Sequence, residues 1–185
     1  MAVRGSLRDE LNTATRAMHD VLDARLSPLA MDADFGRFLQ IQHAVRLPVE
    51  TWMGQVSTEL EEDCLALPLQ AYLIERDLFD LGLVPLEVEP VFDPRDPREA
   101  WGVAWALAGS SLGNRAILQR RRRAGCKLTH HFLADPAMPA FWSAFRSEIE
   151  QPLAAELHHH AIVGAQRVFG SFLAQVGDDR GRLAA

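Results

Sequence analysis

Cysteine is scarce in this 185-residue chain: Cys64 and Cys126 stand far apart and form no C-x-x-C pair. That excludes a disulfide framework and a thiolate metal centre, and it fits reduced thiols. Long hydrophobic runs are also missing, so no segment reaches the roughly 20 apolar residues of a membrane-spanning helix. The opening MAVRGSLRDEL lacks the apolar stretch of a secretory leader. Basic residues number 19 against 25 acidic ones, for a net charge of −6. A nucleic-acid binder needs a basic face to neutralise phosphates, so that class is disfavoured. Strand-like alternation, internal repeats and low-complexity segments are absent, as are a catalytic triad, a phosphate loop and any paired-carboxylate arrangement. These absences leave a mildly acidic cytoplasmic protein without nucleic-acid or membrane partners. At 48% hydrophobic composition, residues 1–185 suffice for one good core and are short for two, with 178–185 expected as a frayed tail.

What is present is helical periodicity. Ser6 and Asp9 form an S-x-x-D capping box, followed by an apolar stripe of Leu7, Leu11, Ala14, Met18, Val21 and Leu22. Asp32 or Asp34 can cap a second helix, in which Pro48 should cause a kink or end a first segment. A third helix is expected from about Pro68 to Leu81, stopping near Gly82. VPLEVEPVFDPRDP, with four of the ten prolines, reads as an extended loop. A fourth helix should begin with Asp96 as cap and Pro97 at its first position and run towards Arg123. DPAMPAFWSAFRSEI gives a fifth, and AAELHHHAIVGAQRVFGSFLAQV a sixth. The expected fold is an all-α, single-domain bundle of six to eight helices.

Two anomalies interrupt this pattern. In TATRAMHDVLDARL, His19 falls at the edge of the apolar stripe, beside Thr15, Leu22 and Leu26. It is either a boundary imidazole bonded to a neighbour or a group presented to a pocket. In WALAGSSLGNRAIL, Gly109 and Gly113 lie one turn apart with Ser110 and Ser111 between them. A mid-helix glycine costs about 1 kcal/mol relative to alanine, and serine diverts backbone hydrogen bonds. The segment serves close helix packing or a kink, or else it bends bare backbone over a flat, bulky ligand. A planar metal-containing macrocycle would use both anomalies. His19 would be the axial ligand of its iron, and the glycines would make a side-chain-free ceiling on the other face.

These residues carry a resemblance. LRDELNTATRAMHDVLDARL resembles the proximal helix of the bacterial haem oxygenases, of the biliverdin-producing type associated with bacteriophytochromes. There a T-x-x-x-H pattern presents the iron-ligating histidine, which here is His19. GSSLGNRAI resembles that family's distal glycine motif, and ERDLFDLGL at 75–83 and FWSAF at 141–145 resemble further segments. Asn114 follows the second glycine where many relatives carry a small residue, Ser110 replaces a carboxylate found in some members, and Ala108 replaces a common glutamate.

The resemblance implies that haem is both substrate and cofactor. With O2 and an external electron donor, the ring opens to biliverdin, releasing CO and ferrous iron. It implies catalytic roles for His19, Ser110, Gly109 and Gly113, with Ser110 or Ser111 fixing a water that donates a proton. It also implies haem contacts from Arg16, towards the propionates, and from Phe169, although Phe169 reads equally as a core aromatic. The implied partners are a ferredoxin- or flavodoxin-like reductant and a bacteriophytochrome as biliverdin acceptor. The alternative on the same fold is a non-catalytic haem-binding or sensor protein.

The run QRRRRAGCK is either a solvated helix end, favoured near a C-terminus, or a docking face for an acidic electron donor. HHH at 158–160 cannot supply one metal site from a helix, since neighbours splay by about 100°. These three, with His130 and His131, read as surface or boundary residues. His43 is a rival ligand position without the surrounding motif.

Overall fold

The computed structural model describes residues 6–26, 32–128 and 130–177. Among them are eight α-helices and no strand: α1 (Leu7–Leu26), α2 (Asp32–Leu60), α3 (Ala71–Asp80), α4 (Ala100–Gly109), α5 (Ser111–Arg123), α6 (His131–Ala134), α7 (Ala137–Ile149) and α8 (Ala155–Gly177). Short 3-10 turns at Asp63–Leu65 and Pro97–Glu99 precede α3 and α4. The all-α bundle expected from periodicity is thus present. The tail expected at 178–185 lies outside the described residues.

Local chemistry sets several helix ends where the sequence places them. At the start of α1, the Ser6 hydroxyl donates to Asp9 at 2.9 Å, and the Asp9 amide donates back to Ser6 Oγ. Asp96 accepts from the Arg98 amide, with Pro97 next to it, where no N–H is needed. Gly82, at φ +67°, ends α3 by letting the Leu83 amide reach the Leu78 carbonyl.

Two expectations change. Helix α2 runs through Pro48 as a single element, so the proline does not end a first segment there. Proline removes only one backbone bond, and α2 keeps a buried face on both sides of it, from Phe35 to Val45 and from Val49 to Val56. The expected fourth helix is split at Ser110 into α4 and α5. The single turn of α6 was not foreseen; the buried Asp77 carboxylate holds it by accepting the His131 and Phe132 amides at 2.7 and 2.9 Å.

Helix α8 organises the bundle, packing against α1, α4 and α2. Its crossing with α4 is close because two glycines permit it. A Cβ at Gly102 would sit 1.7 Å from the Ala161 carbonyl oxygen, and one at Gly164 would sit 2.1 Å from that of Glu99. The apolar interior divides in two. A larger core joins α1, α4, α7 and α8 to the later part of α2. A smaller one gathers Phe35, Phe38, Leu39, Ile74, Leu78, Leu118, Phe132 and Leu133 from α2, α3, α5 and α6. No described helix is long and apolar enough to cross a membrane.

Cys64 borders the larger core, where burial and the nearby Glu62 carboxylate push its thiol up to about 11. The thiolate is the reactive form, so at pH 8 Cys64 should alkylate with iodoacetamide about 100-fold more slowly than a free thiol of pKa near 8.5. Mass spectrometry of the labelled protein would read this, and labelling at the rate of free cysteine would contradict it.

Candidate functional site

The site begins at the exposed edge of α1. His19 keeps 59% of its side-chain surface exposed, and its Nδ1 lies 3.3 Å from Asp23 Oδ2, one turn further on. Asp23 is itself exposed, so the two groups form a surface ion pair when the imidazole is protonated. The sequence reading missed Asp23, although its i+4 spacing from His19 was visible. The apolar residues near His19 face solvent in part: Val21 is 40% exposed.

Aromatic rings lead from His19 into the bundle. The Phe169 ring on α8 is 6.1 Å from the imidazole and tilted to it, and Trp105 on α4 lies 6.4 Å beyond Phe169. Gly109 follows Trp105 by one helical turn. Packing thus links His19, through Phe169, to the α4 segment that ends at Gly109. Trp105, buried in the larger core, and Trp142, packed against it, are aromatic neighbours of this segment that sequence alone does not single out.

The glycines of the break differ from those at the α4–α8 crossing. A Cβ at Gly109 would meet only the Trp142 ring, at 3.9 Å, and one at Gly113 would meet nothing within 4 Å. Helix packing therefore explains Gly102 and Gly164 but gives no reason for Gly113. Around Gly113 the surface is open and apolar, with Leu112 61% exposed. An exposed imidazole, nearby aromatic rings and a helix segment bare of side chains are groups that could hold a flat metallomacrocycle such as haem.

No family model matches the chain. Over 99 residues it is 34% identical to the heme oxygenase of Xanthomonas campestris pv. campestris (strain 8004); the match covers 50% of this chain and 60% of that protein's length. Its structure superimposes on the NO- and CO-bound heme oxygenase of Neisseria meningitidis with a TM-score of 0.72. That match covers 93% of this chain and 92% of the other at 20% identity. The fold is that of a haem oxygenase.

On this haem oxygenase fold the remaining residues singled out in the sequence are placed as follows. Arg16 is exposed on α1, one turn before His19. The Ser110 hydroxyl donates to the Leu107 carbonyl at 2.7 Å and accepts from Arg46 at 2.8 Å. A hydroxyl has one proton, so Ser110 has none left for a water in the cleft. Ser111 is buried, and its Oγ has no partner among the described residues. With Asn114, Arg115 and Leu118 it faces a cavity of about 330 Å³ against α6 and α7. By helical geometry Ser111 and Arg115 lie about 160° around α5 from Gly113, Leu118 about 140° and Asn114 about 100°. Ser111 and Asn114 are buried at this cavity, whereas Gly113 is exposed.

The other histidines are engaged elsewhere. His43 is buried, with Nε2 2.9 Å from Glu75. His130 and His158, expected near the surface, are buried too. His130 Nε2 accepts from Arg121 at 2.9 Å, with its pKa lowered by burial and the neighbouring arginines, and His158 pairs with Glu10 at 3.0 Å. The arginine run is mixed. Arg121 is fully buried over the Phe35 ring and paired with Asp32, while Arg120, Arg122 and Arg123 are exposed.

Proposed function

We propose that this chain is a haem oxygenase that uses haem, O2 and electrons from an external donor to form biliverdin, CO and ferrous iron. One observation carries the reading. A mostly exposed imidazole is joined through the Phe169–Trp105 pair to a helix that breaks at Ser110, and a Cβ at the following Gly113 would meet no neighbour. The match to the Xanthomonas protein adds support.

The residues divide the work. His19 would hold the haem iron through an imidazole nitrogen, with Asp23 close enough to orient the ring. Phe169 packs on the macrocycle, Arg16 pairs with a propionate, and Gly109 and Gly113 let backbone approach the opposite face. Bound haem supplies the redox chemistry. Since the Ser110 proton is committed to Leu107, a cleft water is held by a backbone carbonyl or accepted by Ser110, which retains one lone pair. The exposed Arg120, Arg122 and Arg123 offer a docking face for an acidic ferredoxin or flavodoxin-like donor. A bacteriophytochrome would be the acceptor of biliverdin, and the setting would be cytoplasmic.

The test is a single-turnover assay of the haem complex with ascorbate, or with ferredoxin and its reductase. The Soret band should fall as biliverdin's red absorption grows. A stable oxygenated haem spectrum without that product would point to a sensor or carrier, and no Soret shift on haem titration would remove haem altogether.

A further inference from the structure

Gln42, Arg46 and Glu50 follow one another at four-residue steps on the buried face of α2. Arg46 has no exposed surface. Its Nε donates to Gln42 Oε1 at 3.0 Å, its Nη1 to Glu50 Oε1 at 3.5 Å, and its Nη2 to Ser110 Oγ at 2.8 Å and the Leu107 carbonyl at 3.5 Å. The guanidinium also lies 5.0 Å above the Phe132 ring. Burying a charge this deeply is unfavourable unless its N–H groups find acceptors. Two of those acceptors sit at the join between α4 and α5.

That placement determines the hydrogen bonds of the break. In an uninterrupted helix the Leu107 carbonyl accepts the amide four residues on. Here it receives the Ser110 hydroxyl and the Arg46 guanidinium, and the Ser110 amide reaches back only to Ala108. A serine bonded to the preceding turn bends a helix. Because Arg46 already donates into Ser110 Oγ, the hydroxyl proton is turned away from α2 and onto Leu107. The opposite end of the network is anchored as well. The second Glu50 oxygen accepts the Gln70 and Ala71 amides, each at 2.9 Å, at the start of α3.

We infer that Arg46 is a positioning residue, a buried guanidinium on α2 that holds the break between α4 and α5 and thereby sets how Gly109 and Gly113 meet the ligand. The second half of this inference rests on the haem reading, and the first does not. The test uses two variants: Arg46→Met combined with Glu50→Gln, which leaves no unpaired carboxylate buried, and Ser110→Ala, which alters no charge. Hydrogen exchange on the haem-free protein should show amides 109–114 exchanging about tenfold faster or more in both, with α8 unchanged. In the ferrous CO complex, the C–O stretch should shift and the ratio of biliverdin isomers should change. Arg46→Lys should not restore either, because an ammonium cannot reproduce the planar fork. Unchanged protection at 109–114, or a loss spread equally through α1 and α8, would overturn the role of Arg46 at the break. Faster exchange with an unmoved C–O stretch and isomer ratio would overturn its reach into the cleft. A wild-type protein that takes up no haem would overturn the haem reading, and the exchange result would still decide the first half.

Discussion

Gly102→Ala should lower the melting temperature of the haem-free protein sharply, whereas Gly113→Ala should leave it unchanged or raise it. At Gly102 the new methyl would lie 1.7 Å from the Ala161 oxygen and 2.6 Å from its carbon. Those atoms belong to the backbone of α8, so relief requires the two helices to separate. Overpacking of this kind costs at least about 3 kcal/mol, or about 6–12 °C in a domain of this size. At Gly113 the methyl meets open space, and alanine gains up to about 1 kcal/mol in helix propensity. The order should reverse when haem is added. Gly113→Val should fold, yet lose haem affinity or turnover by far more than its change in stability accounts for. Calorimetry without haem and Soret titration with it measure the two effects separately. If Gly113→Val binds and degrades haem as the wild type does, the open ground beside α5 has another purpose.

His19→Ala should cost little in stability and nearly everything in activity. The ring is mostly exposed, and its ion-pair partner Asp23 is exposed too. Surface changes of this kind stay within about 0.5 kcal/mol. The same change removes the nitrogen assigned to the iron, so the resonance Raman iron–histidine band should vanish. Biliverdin yield in one turnover should fall about 100-fold or more, beyond the loss usual for a group that only supports a metal ligand. An unchanged Raman band would shift ligation to another residue. His43 is poorly suited to that role, being buried and already bound to Glu75.

The parts of the fold legible in the sequence are those that short-range chemistry determines. The Ser6–Asp9 box, the Asp96–Pro97 start and the Gly82 stop each depend on a few consecutive residues. His19 and the paired glycines stood out because each departs from an otherwise regular helical pattern. What stayed hidden depends on residues distant in the chain. Helix α6 exists because of a carboxylate 54 residues earlier. Arg46 and Arg121 carry the side chain most often found in water, and both are fully buried through partners on other helices. Composition also gave no means of separating Gly102 and Gly164, which a neighbouring backbone requires, from Gly113, which no neighbour requires.

The division of the interior into two cores bears on how stability is shared along the chain. His19 rides on α1, which belongs to the larger core, whereas α5 is anchored by Leu118 in the smaller one. The join at Ser110 therefore lies where the chain passes from the larger core to the smaller, and α2 contributes to both. Each core holds its own set of apolar side chains, so loosening one leaves most of the other's packing in place.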